Sequence, residues 1–229
     1  MDPRKVLVII PTLERPEMCA RAIRSLVAQQ YNNWTAVIAK NGGNRYLSRY
    51  KVELGGLLNH PRITLYVLPE RGLGYALNEI AIRFLGFNGS FAVLEDDDEW
   101  DPGFLPTMTR ELMASGADVA HCLQRQTPKQ KQSAGGPMHK ERLKRQNWIN
   151  FPMCLFRSRL YFETGGFSKE AGPATDWDWH LRCLKANAKY HFVPETLVTH
   201  YWHGSNYCTK VDGRPYIVGQ MEQGEYKSE

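Results

Sequence analysis

Phe91-Ala-Val-Leu-Glu-Asp-Asp-Asp-Glu-Trp-Asp-Pro102 sets the reading of this chain. A short apolar run, Phe91 to Leu94, ends in five consecutive acids, Glu95 to Glu99, and stops at Trp100-Asp-Pro102. An unbroken apolar run bounded by polar residues is the pattern of a strand buried on both faces. Five adjoining carboxylates at its end repel one another and call for a positive partner. In open α/β sheets the ligand crevice lies at the carboxyl ends of the strands. An all-oxygen cluster there suits Mg²⁺ or Mn²⁺, hard ions shared between a few carboxylates and substrate phosphates. The competing reading is a solvated acidic turn ahead of the next helix.

Outward from this point, strand and helix patterns alternate from residue 6 to residue 105. Val6 to Ile10, bounded by Pro11-Thr12, reads as a buried strand. Pro16 to Gln29 carries apolar residues at helical spacing, and Trp34 to Ala39 reads as a strand closed by Asn41-Gly-Gly43. Ile63 to Leu68 is a further strand, and Gly74 to Leu85 a helix with Leu77, Ile80, Ala81 and Leu85 on one face. The alternation predicts an α/β fold with a mostly parallel sheet and crossover helices. Beyond Pro106 it loosens. A helix over Leu105 to Ser115 and a strand over Asp118 to Leu123 lead into residues 125 to 147, where seven Lys or Arg face the single acid Glu141. This stretch, with Lys129 to Arg145 at its centre, reads either as a solvated loop or as a lid over a donor diphosphate or an anionic acceptor. Order resumes at Trp148 to Phe156. Helices follow over Ser158 to Thr164 and Asp176 to Ala186, with the turn Gly165-Gly166 between them. A last strand spans Tyr190 to Val193, the segment Val198 to Tyr207 follows, and a frayed polar tail starts at Asp212. No repeat or linker divides the chain, so a single domain is expected.

The 229 residues suffice for a substantial core, and 42% apolar content is that of a folded protein. A net charge of +5 suits an anionic ligand such as a nucleotide without requiring nucleic acid. The five cysteines are widely spaced with no CxxC pair, which argues against a disulfide framework or a zinc site. No run has the length of a membrane span, and Val6 to Ile10 is too short for a signal core. A soluble, cytoplasmic protein is the expectation. Neither GxxxxGK[ST] nor a complete GxGxxG occurs, which counts against an NTPase or a dinucleotide enzyme.

Four segments, in order over roughly residues 5 to 206, together resemble family 2 glycosyltransferases of the GT-A fold. They are Val6-Leu-Val-Ile-Ile-Pro-Thr-Leu-Glu-Arg15, Arg71-Gly-Leu-Gly-Tyr-Ala-Leu-Asn78, Leu94-Glu-Asp-Asp-Asp-Glu-Trp100, and Gly165-Gly-Phe167 with Thr175-Asp-Trp-Asp-Trp-His-Leu-Arg182. The resemblance implies transfer of a sugar, with inversion, from a nucleotide-diphosphate donor to a glycan or glycoconjugate acceptor. UDP is the leading nucleotide, with dTDP or GDP as alternatives, and the cofactor is Mn²⁺ or Mg²⁺. It implies a nucleotide-sugar-binding half over about 1–105 and an acceptor-binding, catalytic-base half over about 106–210.

The resemblance also implies roles. Asp97 is the direct metal ligand, with Asp98 and His203 as further ligands and Glu95 reaching the metal or the ribose. Asp98 has an alternative task, holding its loop. Asp96 joins Pro11, Thr12, Glu14, Arg15, Asn41, Arg71, Gly72 and Asn78 around the donor. Asp176 is the general base, with Asp178 its nearest rival, and Trp177, Asp178 and Trp202 are candidate acceptor contacts. Side-chain alternation on an extended segment would set Asp96 and Asp98 on one side and Asp97 on the other. Thr175 is placed to cap a helix whose first turn carries Asp176, which would stabilise the charged carboxylate. Trp148, Trp177, Trp179 and Trp202 are possible sugar platforms, at least two of them core residues instead.

Three positions depart from the family pattern. Lys40-Asn41-Gly42-Gly43 stands where the family has acids, one of which contacts the nucleobase. Glu95 stands first in the acid run in place of Asp. Leu77 replaces an Arg beside Asn78, which leaves Arg71 as the nearest cation for the diphosphate. Two rival functions remain at this point: a metal-dependent phosphoryl or nucleotidyl transferase or hydrolase, which would want acids on two strands for an ion pair, and a non-catalytic sugar or nucleic-acid binder.

Overall fold

The computed structural model describes residues 2, 4–127, 130–203, 206 and 212–226. Strand β1 (Val6–Thr12) lies between β2 (Trp34–Lys40) and β4 (Ser90–Val93), parallel to both, and β3 (Ile63–Val67) pairs parallel with β2. Enclosed on both sides, β1 is buried at all seven residues, which is why its sequence does not alternate. It is longer than predicted, since Pro11 and Thr12 belong to it, in register with Ala39 and Lys40. Helices α1 (Pro16–Val27), α2 (Leu47–Leu54) and α3 (Leu73–Phe84) connect these strands. Proline opens α1, where no backbone N–H is needed, and Cys19, Ala20, Ile23 and Leu26 form its buried face. Full burial of one such Leu or Ile contributes roughly 1.5–3 kcal/mol. Helix α2 had no counterpart in the sequence reading.

The second half turns the sheet mixed. Strand β5 (Asp98–Trp100), helix α4 (Phe104–Ser115), β6 (Val119–Thr127), β7 (Gln130–Ala134), a short helix α5 (Lys140–Leu143), β8 (Cys154–Arg157), α6 (Arg159–Glu163), α7 (Thr175–Lys185), β9 (Tyr190–Tyr201) and α8 (Arg214–Glu222) follow. The sheet order is β3-β2-β1-β4-β8-β6-β9-β5, with β7 hydrogen-bonded to β6. Strand β8 pairs antiparallel with β4 and β6, whereas β6 and β9 run parallel.

Several boundaries correct the sequence expectations. The polar stretch after Arg125 is not a plain loop: β6 continues to Thr127, β7 folds back on it, and α5 follows. Periodicity missed this arm because it has little apolar surface to bury. Strand β9 does not stop at Val193 but runs through His200, its register against β6 shifting twice. The tail is not frayed throughout, for α8 packs on the molecule and Tyr226 is buried. Lys129, Gly204, Ser205, Tyr207 and Cys208, which earlier expectations touched, lie outside the described residues. Cys19, Cys122, Cys154 and Cys183 are all buried and unpaired. Among the described residues no helix is long and apolar enough to cross a membrane.

Two of the contacts between the halves are especially close. Phe91, Phe156, Phe167 and Trp179 interlock, with Phe167 and Trp179 4.4 Å apart and Phe91 and Phe156 5.1 Å apart between ring centres, and this fixes α7 against β4 and β8. At Gly74 the α3 backbone meets the loop after Phe167 so closely that an added Cβ would stand 1.9 Å from the Ser168 carbonyl oxygen.

Candidate active site

The acid run leaves β4 at its carboxyl end and turns at Asp96–Asp97 before entering β5. Asp98 N–H closes this turn by donating to the Glu95 carbonyl at 3.1 Å. The predicted alternation therefore fails here, and the two adjacent acids share one cation. Arg15 Nη2 lies 2.5 Å from Asp96 Oδ1, and Arg15 Nη1 lies 2.8 Å from Asp97 Oδ2. Asp96 also accepts from Thr12 Oγ1 at 2.6 Å, and the same hydroxyl meets Tyr50 Oη at 2.6 Å. Burial works against the Arg15 charge, but Asp96 and Asp97 more than offset this and raise its pKa. Burial pushes Asp96 up to about 7 despite Arg15. Thr12 and Arg15 thus buttress the acids from the end of β1 and the loop that follows it.

Asp97 gathers further donors. His203 Nε2 lies 3.0 Å from Asp97 Oδ2, and the Asn206 amide lies 3.4 Å from the same oxygen. Asp98 departs from the expectation that it joins Asp97 at an ion. Its carboxylate is fully buried and 2.8 Å from His200 Nδ1, its register partner on β9. Burial opposes a charged His200, but the Asp98 carboxylate prevails and raises its pKa. The two imidazoles of His200-Tyr-Trp-His203 thus serve two acids. Glu95 is pushed well above its usual range, first by burial and then by the charges of Asp97, Asp98 and Asp176. The charge of Asp176, 81 positions further along the chain, thus reaches the acid run.

Asp176 stands in the first turn of α7. Its Oδ2 accepts from Asn147 Nδ2 at 2.9 Å and its Oδ1 from the Trp177 N–H at 2.8 Å. The carboxylate keeps partial solvent contact, yet its dense surroundings push its pKa up to about 6, against the lowering by these two donors. The helix start had been expected to hold the pKa down, and burial outweighs it. Thr175 is not the cap: it is the first helical residue, and its hydroxyl donates to the Gly172 carbonyl at 2.6 Å. A carboxylate with a pKa near 6 is better matched to accepting a proton near neutrality than an ordinary one.

Asp178 is not an acceptor contact. It is 1% exposed, its Oδ2 takes Arg182 Nη2 at 2.6 Å, and its Oδ1 accepts from Tyr226 Oη at 2.7 Å. Arg182 in turn donates to the carbonyls of Thr164 and Gly166. Gly166 has φ +82, and an added Cβ would stand 2.8 Å from Asn78 Oδ1. Asn78 spends its amide on the same turn, donating to the Phe167 carbonyl at 2.7 Å and accepting from the Phe167 N–H at 2.9 Å. This places Asn78 as a clasp between α3 and the half that carries α7, in place of the direct donor contact expected of it. Trp148, Trp177 and Trp179 are buried, with Trp177 Nε1 donating to the Leu143 carbonyl at 2.6 Å. Trp202 is half-buried, its Nε1 donating to Gln126 Oε1 at 3.1 Å.

Around the expected nucleoside end, Arg71 and Arg45 both pair with Glu14, which sits in the left-handed region at φ 60. Gly72, at φ 133, precedes the first turn of α3. Lys40 is buried, its ammonium donating to the Gly43 carbonyl at 2.6 Å, and burial lowers its pKa. Asn41 donates its amide to the Thr12 carbonyl at 3.0 Å, while its Oδ1 is buried without a hydrogen-bond partner among the described residues. The sequence reading missed Asn147, Tyr50, Asn206 and Tyr226. Asn147 carried a local signal, an Asx-type bond in which the Ile149 N–H donates to its Oδ1 at 3.2 Å. Asn206 likewise accepts locally, from the His203 N–H at 2.7 Å, whereas Tyr50 and Tyr226 meet their partners only across long separations in sequence.

Among the described residues no three His, Cys, Asp or Glu side chains converge on a ready-made cation site. Asp97 and His203 supply two neighbouring donors. That number fits Mn²⁺ or Mg²⁺, which take one or two protein groups and complete their shell with substrate phosphates and water. An imidazole beside a carboxylate suits Mn²⁺.

The profile of the family described as Glycosyl transferase family 2 matches residues 7–168. WcaA of Escherichia coli (strain K12), a glycosyl transferase named for colanic acid biosynthesis, is 29% identical over 102 residues, covering 44% of this chain and 35% of the relative. The chain thus spans about a third of the length of that curated relative. The mannosyltransferase PcManGT from Pyrobaculum calidifontis, solved with GDP-Man and Mn²⁺, superposes with a TM-score of 0.72 at 14% identity, over 98% of this chain and 65% of that one. Residues 1–349 of S. aureus TarS, solved with UDP-GlcNAc, superpose with a TM-score of 0.69 at 13% identity, over 95% of this chain and 66% of that one. The α/β sheet with flanking helices is therefore the GT-A fold.

Proposed function

The chain belongs to glycosyl transferase family 2, and from that premise we propose that it is a metal-dependent inverting enzyme. It moves a sugar from a nucleotide-diphosphate donor to a hydroxyl of a glycan or glycoconjugate acceptor. The observation that carries this reading is the pairing of Asp97 with His203 at 3.0 Å beyond the β4 exit, with Asp176 within electrostatic reach of Glu95 in the same acid run. Neighbours of the same fold are solved with UDP-GlcNAc and with GDP-Man and Mn²⁺, which supports a nucleotide-sugar donor.

Asp97 and His203 would hold the divalent ion. When bound, that ion neutralises the departing diphosphate as a Lewis acid, a contribution of several kcal/mol. Arg15 keeps Asp96 and Asp97 oriented and lessens their mutual repulsion while the crevice is filled. Asp176 accepts the proton of the acceptor hydroxyl as its oxygen attacks the anomeric carbon, on the face opposite the leaving diphosphate. The sugar–phosphate bond breaks, its electron pair leaves with the diphosphate, and the configuration inverts. Asn147 and the Trp177 N–H hold the carboxylate in the orientation this transfer needs. Asn41, with its unpartnered Oδ1, is the acceptor we assign to a nucleobase N–H.

The test is thermal unfolding against UDP-, dTDP- and GDP-sugars, with and without Mn²⁺. A ligand at a hundredfold excess over its Kd stabilises the native state by about 2.7 kcal/mol. A shift requiring both the ion and one nucleotide is expected, lost in Asp97→Ala and retained in Asp176→Asn. Indifference to every nucleotide overturns the proposal.

A further inference from the structure

Apart from Asn147 at its end, the segment that carries α5 has no task in the transfer just described. Between His139 and Asn147 it presents Lys140, Arg142, Lys144 and Arg145 against one acid, Glu141. Lys144 occupies that acid at 2.8 Å, while Lys140, Arg142 and Arg145 are exposed. Arg142 lies 4.3 Å over the ring of the buried Trp148, so its cation rests on a fixed aromatic floor. The segment is fastened to the catalytic helix at two points, Trp177 Nε1 to the Leu143 carbonyl and Asn147 Nδ2 to Asp176 Oδ2. A run of exposed cations is therefore tethered to the helix that carries Asp176, whereas the acids at the β4 exit serve the donor.

We infer that the acceptor is an anionic saccharide, with carboxylate or phosphate groups near the reacting hydroxyl that Lys140, Arg142 and Arg145 engage. This rests on the reading of Asp176 as the base. A patch of one sign raises the local concentration of an oppositely charged substrate and orients its approach, and added salt weakens the effect. A neutral glycan gains nothing from it. Arg142 and Arg145 present planar forks suited to carboxylate and phosphate alike.

The experiment is calorimetric titration of the full chain with three saccharides of matched length: galacturonic acid oligomers, phosphorylated oligomannose and neutral dextran oligomers. UDP and GDP with Mn²⁺ are titrated separately. At least one anionic probe is expected to bind, more weakly as salt is raised, while dextran does not. Which of the two binds identifies the anionic group. The double variant Arg142→Glu/Arg145→Glu is expected to weaken that binding by about tenfold or more, with nucleotide binding unchanged. The neutral pair Arg142→Gln/Arg145→Gln should fall between. Arg24→Glu/Lys51→Glu, an equal charge change at exposed sites on α1 and α2, should leave saccharide binding intact. Four results overturn the inference: no binding of either anionic probe, equal binding of dextran, an equal loss in the Arg24/Lys51 control, or a loss of nucleotide binding instead. Binding needs no turnover, so binding of an anionic probe without sugar transfer by any donor would uphold the patch and sink the transferase reading alone.

Discussion

Replacing Asn147 with leucine removes one of two hydrogen-bond donors to Asp176 and leaves the carboxylate in place. The bond is 2.9 Å long and favours the charged form, so its loss raises the pKa from its present value of about 6. A hydrogen bond to a charged group contributes roughly 1.5–3 kcal/mol, and the protonated acid keeps part of it, which leaves a difference of about 1.4 kcal/mol, or about one pKa unit. With a new value near 7, the ionised fraction at about pH 6 falls from a half to roughly a tenth, a fivefold loss of kcat/KM, while at about pH 8.5 almost nothing is lost. The acid limb of the pH profile therefore moves to higher pH and the plateau stays. Profiles of sugar transfer from pH 5 to 9 read the limb, and carboxyl ¹³C titration of Asp176 reads the same pKa without turnover. A limb that stays put or moves to lower pH refutes the assignment of Asp176 as the base held by Asn147. An equal loss at every pH would mean that Asn147 acts only through local structure.

Buried His121 has neither ring nitrogen hydrogen-bonded among the described residues, and burial lowers its pKa to about 4. An unfolded histidine titrates near 6.5, so this residue's contribution is complete above that pH and is lost as pH falls toward 4, by roughly 2 kcal/mol at about pH 5. His121→Leu should abolish that loss. Urea unfolding at pH 5 and 7.5 should show the variant gaining roughly 2 kcal/mol more at the lower pH, and an equal gain at both would refute the titration argument. Asp178→Ala strands Arg182 and should cost roughly 3–5 kcal/mol in denaturant unfolding. Tyr226→Phe, which removes only a hydroxyl donor to that carboxylate, should cost roughly 1.5–3 kcal/mol. If both are silent, the tail is not docked as described. Gly74→Ala forces a Cβ against the Ser168 carbonyl and should lower stability by roughly 1–3 kcal/mol or more. A neutral melting temperature would mean that this contact relaxes freely.

The parallel half of the sheet was legible because β1, β2 and β4 are continuous apolar runs, a pattern enclosed strands impose on their own sequence. The arm of β6 and β7 was not, because its residues are polar and its pairing comes from backbone bonds that leave no periodicity. The acid run announced a concentration of charge, and Asp97 does meet His203 there. The division of labour among the acids was hidden. Nothing in Glu95-Asp-Asp-Asp98 says that a turn falls at Asp96–Asp97, and so nothing says that Arg15 bridges those two while Asp98 turns to His200. The raised pKa of Asp176 was likewise invisible, since first-turn position lowers it and only the packed surroundings reverse the sign. Asp178 looked like a site residue by proximity in sequence, and its Arg182 and Tyr226 partners show it to be a structural anchor.

The contact at Gly74 has a mechanical consequence. Where the α3 backbone touches the chain after Phe167 with no side chain between them, the two halves have no room to slide, and Asn78 and Arg182 rivet the adjoining turn. A jaw-like opening of the two halves would have to part this contact and break the Asn78 and Arg182 bonds first. Any shielding of a reacting sugar from water then falls to elements outside this seam.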